Sequence, residues 1–600
     1  MTVRVWAPDA GRVGLVAGDD EHAMVRQDDG WWSGPELPDG TDYAFRVDGG
    51  PPRPDPRSAW QPHGVHGPSR TFDATTFGWT DEGWAGLDVR GRVLYELHVG
   101  TFTAAGTLDA AVEHLEDLVS LGVDVVELMP LAPFDGDRGW GYDGVGLWAV
   151  HDAYGGPAAL QRFVDAAHAH GLGVCLDVVH NHLGPAGAYV GDLGPYWTDA
   201  HATPWGAAIN LDQPGSRGVR DWIIGSALRW LRDFHVDALR LDAVHELADD
   251  SEPHLLAELS DAVATLSDEL GRPLSLVAET DLNDPVSVTP TAAGGWGMTA
   301  QWADDVHHAI HALVTGERHG YYVDFGTPAT LRHALTRVFV HEGGWSTFRG
   351  RDWGRPVPAG TDGHAFVVCV QNHDQVGNRA LGDRPSERLA AGVLAAEAAL
   401  LLLSPFTPML FMGEEWGTRR RFPFFTSYTD PELAQAVREG RRAEFAGHGW
   451  EGIYGGEVEV PDPQDPATRD AAVLDRGEVR SGPGAAEHGR LLDWYRQLVV
   501  LRRSVPDLGS GDLAATDLRW DGPDDADGPW QGVLVLRRGA ALVVLNLDES
   551  EREVELPPGP YEVAAAWSPV RPRPGALVVP GRSTAVLVPA LDGTDDRGAA

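Results

Sequence analysis

The sequence predicts an α/β protein: a (β/α)8 TIM barrel with one β-sandwich before it and another after it. Three observations carry this reading. Between Gly91 and Met412, eight short apolar, β-branched runs alternate with stretches of helical period. Polar clusters recur at the C-terminal ends of these runs, where such a barrel assembles its site. Both ends of the chain switch instead to short, alternating, turn-rich segments. A doubly wound open sheet is the main competing architecture, and the recurring strand-end clusters favour the barrel.

Taken in order, residues 1–88 form the first sandwich, through the segments VRVWAP, RVGLVAG, WWSGP and TDYAFRVDGG. Its Pro-rich stretch from Gly49 to Pro62 reads as a connector packed on the next domain. The barrel, with loop insertions, spans 89–508. Its strands are predicted at Val93–Val99, Val123–Leu131, Gly173–Val179, Val236–Leu241, Leu274–Ala278, Met298–Trp302, Phe366–Val370 and Thr407–Met412. Helices of the right period fall at Leu108–Leu121, Ala158–His170, Ser216–Phe234, His254–Leu270 and Glu387–Leu403. The longest apolar run, Leu389 to Phe406, is interrupted by Glu397 and stopped by Pro405, so it reads as a buried helix and not a membrane span. Residues 509–592 form the second sandwich, and 593–600 a disordered tail.

The composition is that of a globular chain of 600 residues with a formal net charge of -42. That charge argues against nucleic acid and anionic membrane surfaces as partners, since both need basic patches. No lysine occurs, so every basic side chain is arginine. The 22 tryptophans leave room for sugar-stacking platforms, though large cores use indole too. Two cysteines, Cys175 and Cys369, sit in apolar runs and read as buried free thiols, which excludes a disulfide framework and a multi-Cys metal cluster. The first residues lack the basic-then-apolar pattern of a signal peptide, and the expected location is cytoplasmic. Nothing in the sequence sets the oligomeric state.

Four polar clusters follow predicted strands: Asp177 to His182, Arg240 to His245, Ala278-Glu279-Thr280, and Asn372-His373-Asp374-Gln375. Singly, a strand-end Asp is more often a cap or turn former. Together, at the mouth of one barrel, they bring Asp242, Glu279 and Asp374 into one pocket. Retaining glycosidic cleavage needs two carboxyl groups roughly 5–5.5 Å apart, one to attack the anomeric carbon and one to protonate the leaving oxygen. Arg240, two residues before Asp242, shares its strand face and can hold the nucleophile ionised. Glu279, beside other negative charges, can keep its proton near neutrality. Asp374 can bind sugar hydroxyls and stabilise positive charge, with His182 and His373 as donors.

These clusters resemble the four conserved regions of the α-amylase superfamily, glycoside hydrolase family 13. The resemblance implies Asp242 as nucleophile, Glu279 as proton donor and Asp374 as transition-state stabiliser. Matching Asp177, Asn181, His182, Arg240 and His373 complete the pattern. The stretch Pro408-Met-Leu-Phe-Met-Gly413-Glu414-Glu415 is similar too, and Val5-Trp6-Ala7-Pro8 looks like the family's early-set sandwich. A narrower resemblance covers nearly the whole chain. MPLAPFDGDRGWGYDGVGLWAVHDAYGG, QWADDVHHAIHALVTGERHGYYVDF, QNHDQVGNRA, FMGEEWGTRRRFPFF, RRAEFAGHGW and PDPRSAWQPHGVHGPS look like the malto-oligosyltrehalose trehalohydrolase family. That implies hydrolysis of the α-1,4 bond next to the terminal trehalose of maltooligosyltrehalose, an α-1,4-glucan substrate, with no cofactor and no metal. Two departures concern substrate-site detail: His180 stands where relatives often carry Tyr, and VHEGGWSTFRGRDWGRPV is less typical.

Around the carboxylates, His245, Asn372, Gln375, Gly377 and Asn378 are further candidates for sugar binding. The run Asp304-Asp305-Val-His307-His308 is a candidate for reading trehalose, with a metal site as its rival. Two other functions remain open at this level. One is a glucan-branching transglycosylase with the same three carboxylates. The other is a non-catalytic glucan-binding scaffold, which has no need of all three.

Overall fold

The computed structural model describes residues 1–445, 454, 456, 458–482 and 484–590. The expected tail at 593–600 lies outside them, as do the last residues of the RRAEFAGHGW stretch.

Eight parallel strands close into a barrel in sequence order. They are Leu94–Leu97, Val125–Leu128, Gly173–Val178, Ala238–Leu241, Ser275–Ala278, Ala300–Trp302, Phe366–Cys369 and Thr407–Phe411. Every residue in them is buried, because helices cover one face and the barrel interior the other. This is why the runs read as mainly apolar, broken only by single polar residues such as Glu96 and Arg240, and not as alternating. Several strands are shorter than the apolar run that announced them, since residues such as His98 and Met129 leave the ladder to begin loops at the mouth. At the opposite end Trp84, Leu87 and Val89 plug the floor, where the Trp84 indole donates to Asp237 (2.7 Å).

The helix expected at Leu108–Leu121 is two helices, Leu108–Val112 and Leu115–Leu121. His114 between them is non-helical (φ -114°, ψ 5°). The second helix ends on Gly122 at φ 97°, and an added Cβ there would lie 2.6 Å from Val499. Both demands select glycine. Val499 belongs to the helix Ala485–Ser504, which the sequence analysis did not mark. From that helix the buried Arg502 donates to the carbonyls of Leu402 (2.9 Å) and Ser404 (3.0 Å), closing the C-terminal end of the apolar helix Ala391–Leu402.

The flanking β domains are present on both sides. Near the N-terminus a three-stranded sheet (Thr2–Trp6, Val25–Arg26, Trp31–Glu36) faces a four-stranded one (Val13–Ala17, Asp20–Ala23, Asp42–Val47, Ser69–Arg70). The Pro-rich connector docks on the barrel, with Trp222 donating to the Pro56 carbonyl (2.9 Å) and Trp60 to Asp152 (2.8 Å). Past the barrel, sheets of five and three strands lie between Thr516 and Pro589. Both cysteines are free and buried. Among the described residues no helix is long and apolar enough to cross a membrane.

Glu397, which interrupts the apolar run, is 3% exposed in the helix Ala391–Leu402, and burial alone pushes its carboxyl up to about 8. The folded state therefore retains a proton that the unfolded chain releases near its ordinary value of about 4.3. Stability from this group is intact below that value, falls as pH rises towards 8, and is level above it. Glu397→Leu is expected to raise stability by about 3 kcal/mol at pH 7.5 and by much less at pH 5. Unfolding midpoints across that range check this: an equal gain at both pH values contradicts it.

Candidate active site

The site grows from strand register. Asp177 on the third barrel strand pairs directly with Arg240 on the fourth. Arg240 is fully buried, and one of its terminal nitrogens, Nη1, donates to both oxygens of Asp177 (3.0 and 2.9 Å) and to Asp242 Oδ1 (2.8 Å). The other, Nη2, lies 3.6 Å from Glu279 Oε2. Asn181, from the loop after the third strand, donates through Nδ2 to Asp242 Oδ2 (2.9 Å) and to the Asp242 carbonyl (2.7 Å). Immediately after Asp242 the chain turns through Ala243 in the left-handed region (φ 38°), a strained conformation for alanine. That turn aims the Ala243 N–H at Glu279 Oε2 (2.5 Å), so the two carboxyl groups are braced against each other.

Asp374 arrives from the loop after the seventh strand, in the short helix His373–Gly377. Asn372 caps that helix by accepting from the Gln375 N–H (2.7 Å). Asp374 Oδ1 accepts from Asn378 (3.1 Å), and Oδ2 lies 3.5 Å from His373 Nε2. His373 is buried and donates through Nδ1 to Glu96 (2.5 Å). Tyr142 stacks on the same imidazole, ring centroids 4.9 Å apart, and donates to Asp177 (2.6 Å). Glu96 and Tyr142 were not singled out from sequence. A charged residue inside the run LYEL was the available signal for Glu96; the GWGYD run held the one for Tyr142.

Beside the carboxylates opens a cleft of about 200 Å³. Of the residues expected to bind sugar it is lined by Asp304, Asp305, His308, Gln375 and Asn378, together with Asp374. Tyr321, Phe348 and Arg349 are among its other lining residues, and none of the three was a sugar-binding candidate from sequence. Phe348 and Arg349 sit at the tip of a hairpin (Gly344–Ser346 with Arg351–Trp353), inside the segment noted as atypical. The run 304–308 forms the first turns of the helix Asp304–Thr315. Its ligand atoms diverge instead of converging on a point. Asp305 accepts from Asn283 (2.9 Å) and from the Val340 N–H (2.6 Å), His307 stacks on His311, and His308 packs on Tyr321. His307 and Asn372 lie outside the cleft lining, as do Gly377, which packs on Trp140, and His245, 3.8 Å from Asp281. His182 has its ring nitrogens at 2.5 Å from Asn181 Oδ1 and 3.0 Å from the Tyr142 carbonyl, and the half-exposed Trp205 stacks on its face. His180, the other departure, is buried and faces Ser226 (3.3 Å).

The electrostatics follow from burial among like charges. Burial raises the Glu279 carboxyl above its ordinary range, and the neighbouring Asp242 and Asp374 add to this against Arg240. Asp304 is pushed up to about 8 by burial, then by Glu279 and Asp374. Burial works against a charged His373, yet Asp374 and Glu96 outweigh it and raise its imidazole to about 9. The pocket thus offers a carboxyl group whose burial among like charges favours its protonated form, and on the neighbouring strand a carboxyl group that accepts two hydrogen bonds. A glycosidic bond set between them is open to displacement with proton transfer.

Comparison with known proteins agrees with this chemistry. Residues 70–193 match the family profile described as the α-amylase catalytic domain. A malto-oligosyltrehalose trehalohydrolase from Arthrobacter ramosus is 49% identical over 599 residues, covering 97% of this chain and 98% of its own. A 1,4-alpha-glucan branching enzyme from Bacillus cereus is 30% identical over 339 residues, covering 50% of this chain and 52% of its own. A crystal structure from Salmonella typhimurium, provisionally named an α-amylase, superposes with a TM-score of 0.86 at 36% identity, over 98% of this chain and 97% of that one.

Because Arg240 binds three carboxyl groups from one buried position, Arg240→Met leaves Asp177 and Asp242 buried without their cation. The variant is expected to lose about 3–5 kcal/mol of stability and at least about 10³-fold in kcat. Thermal unfolding and steady-state kinetics read both, and a variant that is stable and fully active contradicts the role.

Proposed function

The chain belongs to the malto-oligosyltrehalose trehalohydrolase family and is a glycoside hydrolase of the α-amylase class; we propose that it cleaves the α-1,4 bond next to the terminal trehalose of maltooligosyltrehalose, with Asp242, Glu279 and Asp374 as its catalytic residues. The observation that carries the reading is the shared guanidinium. Arg240 faces both Asp242 and Glu279, which sit at the ends of neighbouring strands beside the polar cleft.

In the first step Asp242 attacks the anomeric carbon. The bond from that carbon to the leaving oxygen breaks, and the proton of Glu279 passes to that oxygen, releasing trehalose. Arg240 and Asn181 keep the attacking carboxylate aimed, and the Ala243 N–H holds the acid. Asp374, half-exposed at the mouth, meets the positive charge that develops on the sugar ring. In the second step water attacks the same carbon, its proton passes to Glu279, and the ester to Asp242 breaks. The net stereochemistry is retained and no cofactor is required.

The disaccharide leaving group belongs in the cleft of Asp304, His308, Gln375 and Asn378. Several polar groups converge there, and they are satisfied together only by the correct sugar. Asp304, with its carboxyl near 8, acts there as a neutral acid that both donates and accepts. Asn372 holds the helix that carries Gln375, while His245, His307 and Gly377 stand outside the cleft lining. Branching is the rival use of the same three carboxylates, with a sugar hydroxyl in place of water.

Incubation with maltooligosyltrehalose is expected to release free trehalose. Glu279→Gln should lower kcat by roughly 10²–10⁴-fold, and Asp242→Ala by several orders of magnitude with little change in substrate binding. Chromatography of the products gives the answer. Altered iodine staining of amylose with no trehalose formed points to branching, and full turnover by Glu279→Gln removes it from catalysis.

A further inference from the structure

One layer below the carboxylates, inside the barrel, lies an acid that the reaction above does not use. Glu127 on the second strand is 1% exposed and level with Glu96 on the first strand and Cys175 on the third. The Cys175 thiol beside it is a weak donor, and no stronger one among the described residues reaches either carboxyl oxygen. An isolated buried carboxyl of this kind is costly, and partnered groups are the rule. The same interior contains the complementary shortfall. Arg240 leaves Nε buried without an acceptor and Nη2 with only the Glu279 carboxyl at 3.6 Å, beyond hydrogen-bond reach, and Trp302, whose ring lies 4.3 Å from that guanidinium, leaves its indole N–H without a partner.

Part of the wall around them is built from small side chains. Interior layers of such barrels are usually filled by bulky branched side chains. Here Cys175, Ala238, Ala300 and Cys369 interrupt that packing among Leu94, Val125, Val277, Val367 and Met409. Small walls around unmet donors and acceptors are the setting in which internal water is held.

We propose that Glu127 is a positioning residue for the reaction: through water held inside the barrel it fixes the Arg240 guanidinium from below, and with it the orientation of Asp177 and Asp242 above. The proposal rests on the catalytic reading of the preceding section. Glu127 is faced by Glu96 from the first strand, Cys175 and Asp177 from the third, Arg240 from the fourth, and His373 from the loop after the seventh. Burial, then Glu96 and Asp177, push its carboxyl up to about 8 against Arg240 and His373. Below that pH the neutral acid both donates and accepts, and leaves the charge of Arg240 to the carboxylates above. Above it, a new anion competes with Asp242 and Asp177 for the same guanidinium.

The test compares full-length Glu127→Gln and Glu127→Leu with wild type in kcat, KM, pH profile and thermal unfolding. Gln, a neutral donor and acceptor, should keep kcat within about threefold at pH 6–7 and move the alkaline limb of the profile up. Leu cannot hold water and should lower kcat by about 30-fold or more, with KM and melting temperature little changed. A purely structural role would lower the melting temperature and leave the pH profile alone. The proposal is overturned if folded Glu127→Leu turns over within about threefold of wild type, or if Gln leaves the alkaline limb where it was. Infrared difference spectra add a readout independent of turnover, because the carbonyl stretch of a protonated buried carboxyl should vanish in the Gln variant. If Leu fails to fold, the Gln limb and that band decide. If wild type releases no trehalose, the substrate reading fails, and the variants are compared on whichever α-glucan it cleaves.

Discussion

A single desolvated cation organises this molecule. Removing a guanidinium from water costs several kcal/mol, and Arg240 sits fully buried at the barrel's mouth. Only the surrounding carboxyl groups make that position tenable, so Asp177, Asp242 and Glu279 are held by necessity as much as by geometry. The constraint reaches back to the sheet. Asp177 meets Arg240 because the third and fourth strands are paired in one register. A slip of one residue would turn either side chain from the barrel interior to the helix layer. The strained turn at Ala243 and the amide of Asn181 then lock the charged centre to the loops above it.

How much of this could be read from the chain alone divides along physical lines. The barrel was legible because buried parallel strands are apolar on both faces, so each left an unmistakable run. The gathering of Asp242, Glu279 and Asp374, the residues proposed as catalytic, was legible because barrel topology brings strand ends together, whatever their separation in sequence. The helix at Leu108–Leu121 was misread as one piece, because its apolar period continues through His114 while the backbone does not. The Asp304–Thr315 helix was hidden for the opposite reason. Its start carries two Asp and two His, which read as a sugar-binding cluster, although acidic residues also suit a helix N-terminus.

Other features had no signal of sufficient range. The pairing of Glu96 with His373 spans 277 residues, and nothing local to either reports it. The hairpin tip with Phe348 and Arg349 reaches the cleft by tertiary packing, from a segment whose sequence looked merely unusual. Apolar periodicity describes what an element turns towards the core. It says little about which exposed loop reaches across the mouth, and it was there that the sequence reading fell short.

The absence of lysine has a chemical consequence for an enzyme that releases reducing sugars. The open-chain aldehyde of a maltooligosaccharide condenses with free amines, and lysine ε-amino groups are the usual nucleophiles on a protein surface. Here every surface cation in the ion pairs that run from Arg46–Glu21 to Arg582–Glu549 is a guanidinium or an imidazole. Neither forms a Schiff base with a simple sugar aldehyde under ordinary conditions. The side chains of this acidic, arginine-only surface are therefore spared the slow glycation that the maltooligosaccharide product, freed with a reducing end, would otherwise inflict.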